Sequence, residues 1–441
     1  MKTYAIQLTR AHPALKGLIA IIGLWSLTQG ALMTLEALLI KQGGRDEAVI
    51  GLVIGGFLFA GGVFSFPAAW LCRRLGRKPV MLAASVVLLV SIVTLVLAAG
   101  TPLFGPWLLI ISSAVAGMAH TALSINVDPF IADYASREEE RDYLFPLTNS
   151  VRIGGFVVGA MASGALAEGL IRFAGMGSLS SYTVSLLAFT ATNLYAIYLL
   201  ARLPDTKGTP SPYVRGVFRK NLGELFRDRR IWVLAVYDLT VGLGSGFMIP
   251  FFPLFLKIRL LAGETAIGFI RGLSTLVMGL STLATPPLVR RLGLVGTVAF
   301  CQALSVPFIF GIALPHQLWI VGASFVLRDS LMNMVHPVTS NFLMTTFPEH
   351  QRINVVSFQT ALFPLGRSLG VVVGGWLIEE IGRAGYETAT LWGYTIEAFN
   401  YVAPFLATAL LYPLGIAIFW LGFRHLDVRR PVRRPALGSA G

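Results

Sequence analysis

A pattern of eight residues, Arg-x-x-Gly-x-Val-Val-Gly, occurs twice: as Arg152-Ile-Gly-Gly155-Phe-Val-Val-Gly159 and as Arg367-Ser-Leu-Gly370-Val-Val-Val-Gly374. The copies lie 215 positions apart in a chain of 441 residues, and each sits inside an apolar stretch long enough to cross a bilayer. The repeat points to a duplicated bundle of membrane helices. It also sets a guanidinium at matching depth in both halves, where a charge costs roughly 2.5–3.5 kcal/mol on insertion scales.

Composition supports a membrane chain. The residues are 55% hydrophobic and 13% charged, against about 25% charged in a soluble domain. So much apolar surface exceeds what one soluble core hides. The net charge of +13 raises the question of nucleic acid. That partner is set aside because the basic residues fall between apolar spans instead of clustering in one domain. Cys72 and Cys301 lie in or beside spans and suggest neither a disulfide framework nor a metal site. The apolar run from Leu15 to Ile40 is too long for a cleaved signal segment and reads as the first span.

Twelve spans follow, with cores near 15–40, 50–71, 79–99, 106–130, 144–169, 182–203, 231–256, 266–289, 295–314, 317–344, 355–378 and 400–423. The last has room to begin earlier, since 388–401 is also mostly apolar. Only helices satisfy their backbones in lipid without closing into a barrel. With the N-terminus inside, cytoplasmic segments and their flanks hold 25 of the 35 basic residues. The outer loops hold six, and Arg152, Arg271, Arg328 and Arg367 lie within spans. Both termini are therefore expected in the cytoplasm of a cell whose inner membrane holds the protein. The expected units are a six-helix bundle over 1–203, a linker over 204–230, a second bundle over 231–423 and a basic tail over 424–441. The linker reads as a basic amphipathic helix on anionic inner-leaflet lipid, with a calmodulin-like target as the alternative. The tail, with Arg429, Arg430, Arg433 and Arg434, suits the same lipids.

The repeat extends along the chain. Leu38–Lys41 resembles Leu254–Lys257 at an offset of 216, and Arg73-Arg74-Leu75-Gly76 equals Arg290-Arg291-Leu292-Gly293 at 217. Leu123, Val127 and Pro129 match Leu331, Val335 and Pro337 at 208. An ordered series of offsets through six spans means two homologous halves in parallel orientation. Such halves, related by an axis along the membrane normal, can rock about a central site.

With its twelve spans, its six-plus-six duplication and the basic turn Arg73-Arg74-Leu75-Gly76-Arg77-Lys78, the chain resembles the major facilitator superfamily over nearly its full length. The turn is similar to the family's loop signature Gly-x-x-x-Asp-Arg-x-Gly-Arg-Arg/Lys. It departs in having Arg73 for the Asp and Ala69 for the leading Gly. The resemblance implies the family's twelve-helix, two-bundle fold and places gating charge at Arg73, Arg74, Arg77, Arg290 and Arg291. Signatures of the proton-coupled drug antiporters and of the peptide transporters are missing: Ser113 stands where an Arg belongs, and Gly159 is followed by Ala160.

Polar residues at membrane depth are the functional candidates. Arg152 and Arg367 suit either an anionic substrate group or a symmetric structural clamp, and their duplication favours gating or structure. Asp128 ends the fourth span as a candidate partner for Arg152; its counterpart is His336, which denies Arg367 the same pairing. Arg328 and Asp329 lie centrally in the tenth span, opposite His120 and Thr121 of the first half. Adjacent helix positions diverge by about 100°, so the two do not naturally pair and at least one needs another partner; their asymmetry points to contact with substrate or coupling ion, with a buried structural ion pair as the alternative. Glu36 and Asp238 are candidate proton carriers or pore-mouth carboxylates. Arg271, in place of Ile54, would neutralise Glu36, Asp238 or substrate, while His120 and Asn126 add polarity to the fourth span. The glycine runs signal close helix packing. Pro129, Pro250, Pro253 and Pro337 either kink helices or mark their ends.

No nucleotide-binding loop, metal cluster or nucleophile constellation is present in the sequence. The expected protein is not an enzyme and carries no cofactor. It is expected to be a monomeric secondary active transporter, coupled to protons, that exports an amphipathic or drug-like small molecule. Uptake of an anionic solute on Arg328, Arg271 or Arg152 is the alternative, with a non-transporting membrane receptor as the reading from another class.

Overall fold

The computed structural model describes residues 13–101, 104–134, 138–204, 227–391 and 394–426. The first six spans are the helices Pro13–Gln42, Glu47–Leu75, Arg77–Ala99, Pro106–Tyr134, Glu138–Phe173 and Ser178–Arg202. Span seven is Arg229–Met248 followed by Phe252–Arg259, and span eight begins with Glu264–Ser281. Span ten is Leu318–Asn333 followed by His336–Thr346, span eleven is Glu349–Arg383, and span twelve is Phe399–Phe423. Of eleven described stretches long and apolar enough to cross a bilayer, Glu264–Ala313 is 50 residues long and holds two spans. Gly293, with φ 77° and ψ 179°, divides it into spans eight and nine.

Gly76, with φ 89° and ψ 159°, divides spans two and three at the matching place. That region of backbone space is essentially closed to a residue with a Cβ. The repeated Arg-Arg-Leu-Gly thus encodes the same chain reversal in both halves.

Packing repeats as the sequence does. Span one lies on five and six, two on four, and three on four and six. Span seven lies on eleven and twelve, eight on ten, and nine on ten and twelve. The glycines of the opening motif make these contacts close. A Cβ on Gly159 would stand 2.0 Å from the Leu27 carbonyl oxygen, and one on Gly370 would stand 2.1 Å from that of Leu243. Without a hydrophobic drive between helices in lipid, such backbone approach is what holds them. Not every glycine serves this way: Gly62 and Gly154 have no neighbour in that direction.

The halves join through spans two against eleven and five against eight. Their contacts reach from the end bearing the turns at 43–46 and 260–263 into the middle, where Ile153 meets Gly279.

One local expectation changes, and the prolines divide between the two roles expected of them. The segment before span twelve does not extend the helix: Thr388–Leu391 and Tyr394–Glu397 pair as antiparallel strands, β1 and β2, with Thr388 opposite Glu397. Its threonines and alternating pattern suit a pleated ribbon better than a helix. Pro129 lies inside its helix and marks no end. Pro250 falls at the break in span seven, while Pro253 and Pro337 fall in the first turns of Phe252–Arg259 and His336–Thr346. The amphipathic linker lies almost wholly outside the described residues, and the tail beyond 426 does as well.

Candidate functional site

Each half holds a cavity among its spans. The one in the second half has a volume of about 370 Å³ and is walled by spans seven, nine, ten, eleven and twelve. The one in the first half, about 330 Å³, is walled by spans one to six. Their linings correspond through the repeat: Arg152 with Arg367, His120 with Arg328, Asp128 with His336. A smaller cavity of about 90 Å³ lies where the halves meet and is lined by Glu36, Met33, Ile54, Pro250 and Arg367 among others.

In the second half a chain of polar contacts joins three spans. Arg328, 1% exposed, donates from Nη2 to the Tyr412 hydroxyl on span twelve. Its Nη1 stands 3.4 Å from Asp329 Oδ1, so the neighbours do reach one another despite their divergence on the helix. A long arginine side chain bends back along the surface where an aspartate cannot. Asp329 Oδ2 accepts from the Ser274 hydroxyl of span eight at 2.7 Å. Its Oδ1 accepts from the Asn333 amide at 3.1 Å. The charge of Arg328 is therefore matched within the protein.

Other cavity groups are less fully engaged. Asp238 is 3% exposed, has Gln359 within hydrogen-bonding reach and keeps Oδ2 without a donor. Beside it, Gln302 donates to the Tyr237 hydroxyl at 2.5 Å, while its own carbonyl oxygen is unmatched. The Nε of Arg367 is buried without an acceptor, and this residue lines both the second-half cavity and the central one. His336 contacts Asn333 Oδ1 at 3.2 Å and stands edge-on to Phe363.

The first-half cavity has Trp25, Phe57 and His120 in its wall. His120 Nε2 lies 3.4 Å from the Gln29 amide, and its ring is 5.6 Å from that of Phe57. Arg152 and Asp128 share this cavity, but no ion pair joins them among the described residues. The expected partnership is therefore not among the described ion pairs, although both residues line the same cavity.

Several other expectations are corrected. Asn126 lies outside these cavities. Its amide is spent on the Ala122 carbonyl at 2.7 Å and on Cys72 Sγ at 2.9 Å, tying span four to span two. Arg271 neutralises neither Glu36 nor Asp238: its Nη2 approaches Met33 Sδ at 3.5 Å and its guanidinium stands over the Phe325 ring. Glu36 has no hydrogen-bond or ion-pair partner among the described residues and lines the central cavity. Arg152 and Arg367 stand in cavity walls, a position compatible with either role weighed for them, contact with an anionic group or gating and structural charge. At the basic turns, Arg74 stacks on Trp70, Arg77 donates to the Pro129 carbonyl at 3.3 Å, and Arg290 and Arg291 are exposed; Arg73 lies on the same turn.

Sequence reasoning missed Tyr412, Tyr237, Gln302, Gln359, Gln29 and Trp25. Uncharged polar and aromatic side chains are common in spans, so nothing in the sequence set these apart.

Comparison with known proteins follows the same lines. The profile of the Major Facilitator Superfamily matches residues 18–328 and 239–440. No curated protein matches in sequence. Among solved structures, the nucleoside transporter NupG superposes with a TM-score of 0.73 at 14% identity, over 94% of this chain and 100% of that one. A bacterial homologue of the human lysosomal transporter Spinster, inward-facing and occupied, gives 0.73 at 15% identity, over 95% and 98%. A D-xylose–proton symporter gives 0.65 at 13%, over 92% and 97%. At these identities the likeness is one of fold. With the profile spanning both halves, the chain belongs to the Major Facilitator Superfamily, a family of membrane transporters.

Proposed function

We propose that the protein is a proton-driven secondary transporter that works by alternating access and exports an amphipathic small molecule. The observation that carries this reading is Glu36, a carboxylate without a partner among the described residues, in the cavity where the two halves meet. A carboxylate so placed carries a proton in one state and gives it up when the surroundings change. The aromatic wall formed by Trp25, Phe57 and His120 suits an apolar body, and the charged wall of the second-half cavity suits a polar head. Among the described residues the halves join from one end into the middle, as in one state of an alternating-access cycle.

Flux in proteoliposomes under an imposed pH gradient, with a panel of amphipathic probes, tests the reading. The expected result is gradient-driven movement in the native protein and its loss in Glu36→Gln, with probe exchange at equal pH retained. Full gradient-driven flux in Glu36→Gln would sink it, and the sign of the driven flux decides direction.

A second reading, uptake of an anionic solute, draws on Arg152 and Arg367, which line the cavities without a carboxylate partner among the described residues. In a thermal-shift panel of carboxylates and phosphates, a stabilising anion whose effect vanishes in Arg367→Gln supports it.

A further inference from the structure

The chemistry at the joined end is itself duplicated, and each copy crosses the boundary between the halves. At one corner, Lys41 Nζ stands 2.5 Å from Glu47 Oε1 within the first half, and Tyr401 of the second half donates its hydroxyl to the same oxygen. At the other corner, Lys257 Nζ stands 2.7 Å from Glu264 Oε1 within the second half, and Tyr182 of the first half donates to that oxygen at 2.5 Å. Lys41 and Lys257 lie 216 positions apart, Glu47 and Glu264 217, and Tyr182 and Tyr401 219. These are the same three residues on the same elements, with the phenol exchanged between halves.

A second carboxylate runs the opposite way at each corner. Glu379 of span eleven accepts from the Ala48 backbone N–H at 3.1 Å, in the first turn of span two. Glu168 of span five accepts from the Thr265 backbone N–H at 2.8 Å, in the first turn of span eight. The two are held by Arg383 and Arg172, one turn along their own helices. The first turns of spans two and eight each have backbone donors without helical partners and a partial positive charge. A carboxylate from the opposite half meets both needs.

Backbone contact sits directly beneath. A Cβ on Gly375 would lie 2.3 Å from the Glu47 carbonyl oxygen, and one on Gly164 would lie 2.2 Å from that of Glu264. Glu47 and Glu264 are 6% and 2% exposed, so these carboxylates are desolvated and depend on their partners. A buried anion that loses its donors costs several times what the bond contributes when made.

We infer that these two corners are paired latches which hold this end of the transporter shut, and that the opposite state of the cycle requires both to open. The inference rests on the alternating-access reading above. Each latch is self-contained. When the halves part, Glu47 keeps Lys41 and Glu264 keeps Lys257, because those pairs lie within one half. Only the phenol and the backbone N–H are given up, and both re-form on closure. An ammonium retained beside the carboxylate keeps the anion matched in the open state and lowers the barrier to release. A purely structural cross-link would have no use for it.

The test is a distance measurement that needs neither substrate nor flux. Spin labels go on Phe173→Cys and Tyr386→Cys, exposed positions of opposite halves at the joined end, with Cys72 and Cys301 replaced by alanine. Native protein in nanodiscs is expected to give mainly the short distance. Tyr182→Phe or Tyr401→Phe alone should move the open-to-closed ratio about tenfold, and the two together about a hundredfold, as expected for separate hydrogen bonds to charged acceptors. Glu47→Gln with Glu264→Gln should move it in the same direction. If the double Gln protein does not fold, the phenylalanine pair, which keeps ring volume, decides. An unchanged distance distribution in the double phenylalanine protein overturns the latch, even if its melting temperature falls. Loss of flux with native distances in Glu36→Gln would concern the proton and leave the latches untouched.

Discussion

The joined end and the cavities descend from the same duplication and have fared differently. At the joined end, lysine, glutamate, tyrosine, capping carboxylate and arginine all recur in both halves. In the cavities, Arg328 faces the place of His120, His336 that of Asp128, and Asp238 that of Ile22. A surface that must fit the other half of its own chain is held to two-fold likeness. A surface that must fit a substrate without such symmetry is released from it. Arg152 and Arg367 bridge the two cases, being symmetric residues in asymmetric walls.

The largest expected effect tests the asymmetry. Arg328→Gln leaves Asp329 and Tyr412 without their cation, and removing one partner of a buried charge pair costs about 3–5 kcal/mol. His120→Gln, at the matching position, removes a single 3.4 Å contact with Gln29. Thermal unfolding and substrate flux should both collapse in the first and persist in the second. Equal losses would mean that the cavities are as symmetric as the joined end.

A smaller effect tests the symmetry. Gly164→Val and Gly375→Val drive a side chain into backbone of the opposite half, an overpacking cost of about 1–3 kcal/mol each. Spin-label distances across the joined end should lengthen by the same amount in both. A clear difference between the two would show that one corner carries the closure.

The smallest concerns the capping carboxylates. Glu168→Gln and Glu379→Gln keep an acceptor but lose the charge facing a helix N-terminus, worth about 0.3–1 kcal/mol. Matching small drops in melting temperature are expected, and a drop in one alone would break the equivalence of the corners.

The repeat made the fold readable because duplication preserves glycines that geometry demands. Gly76 and Gly293 turn the chain through the same forbidden region, and Gly159 and Gly370 admit neighbouring backbones. The cavities were less readable, since hydropathy sets the depth of a residue but not its direction about the helix axis. Arg152 and Arg367 have the depth the repeat gives them and line cavities; Asn126 has the polarity of a site residue but reaches toward span two. The latches were hidden for another reason. Glu47 and Glu264 begin helices, where acids are ordinary, and their phenolic partners lie 354 positions away in one case and 82 in the other. The sequence match between Leu38–Lys41 and Leu254–Lys257 touched both corners without revealing what the lysines hold.

The proline in the second turnpoint of the tenth span has a consequence for any survey by mutation. Pro337 has no N–H to give to the carbonyl of Asn333, one turn before it, and Asn333 and His336 both line the second-half cavity. A main-chain oxygen at that level is relieved of its usual helical bond. Its dipole belongs to the peptide unit, so replacing Asn333 by any other residue leaves it in place. Side-chain substitution at Asn333 therefore leaves that oxygen untested, and restoring an N–H at position 337 is the change that would test it.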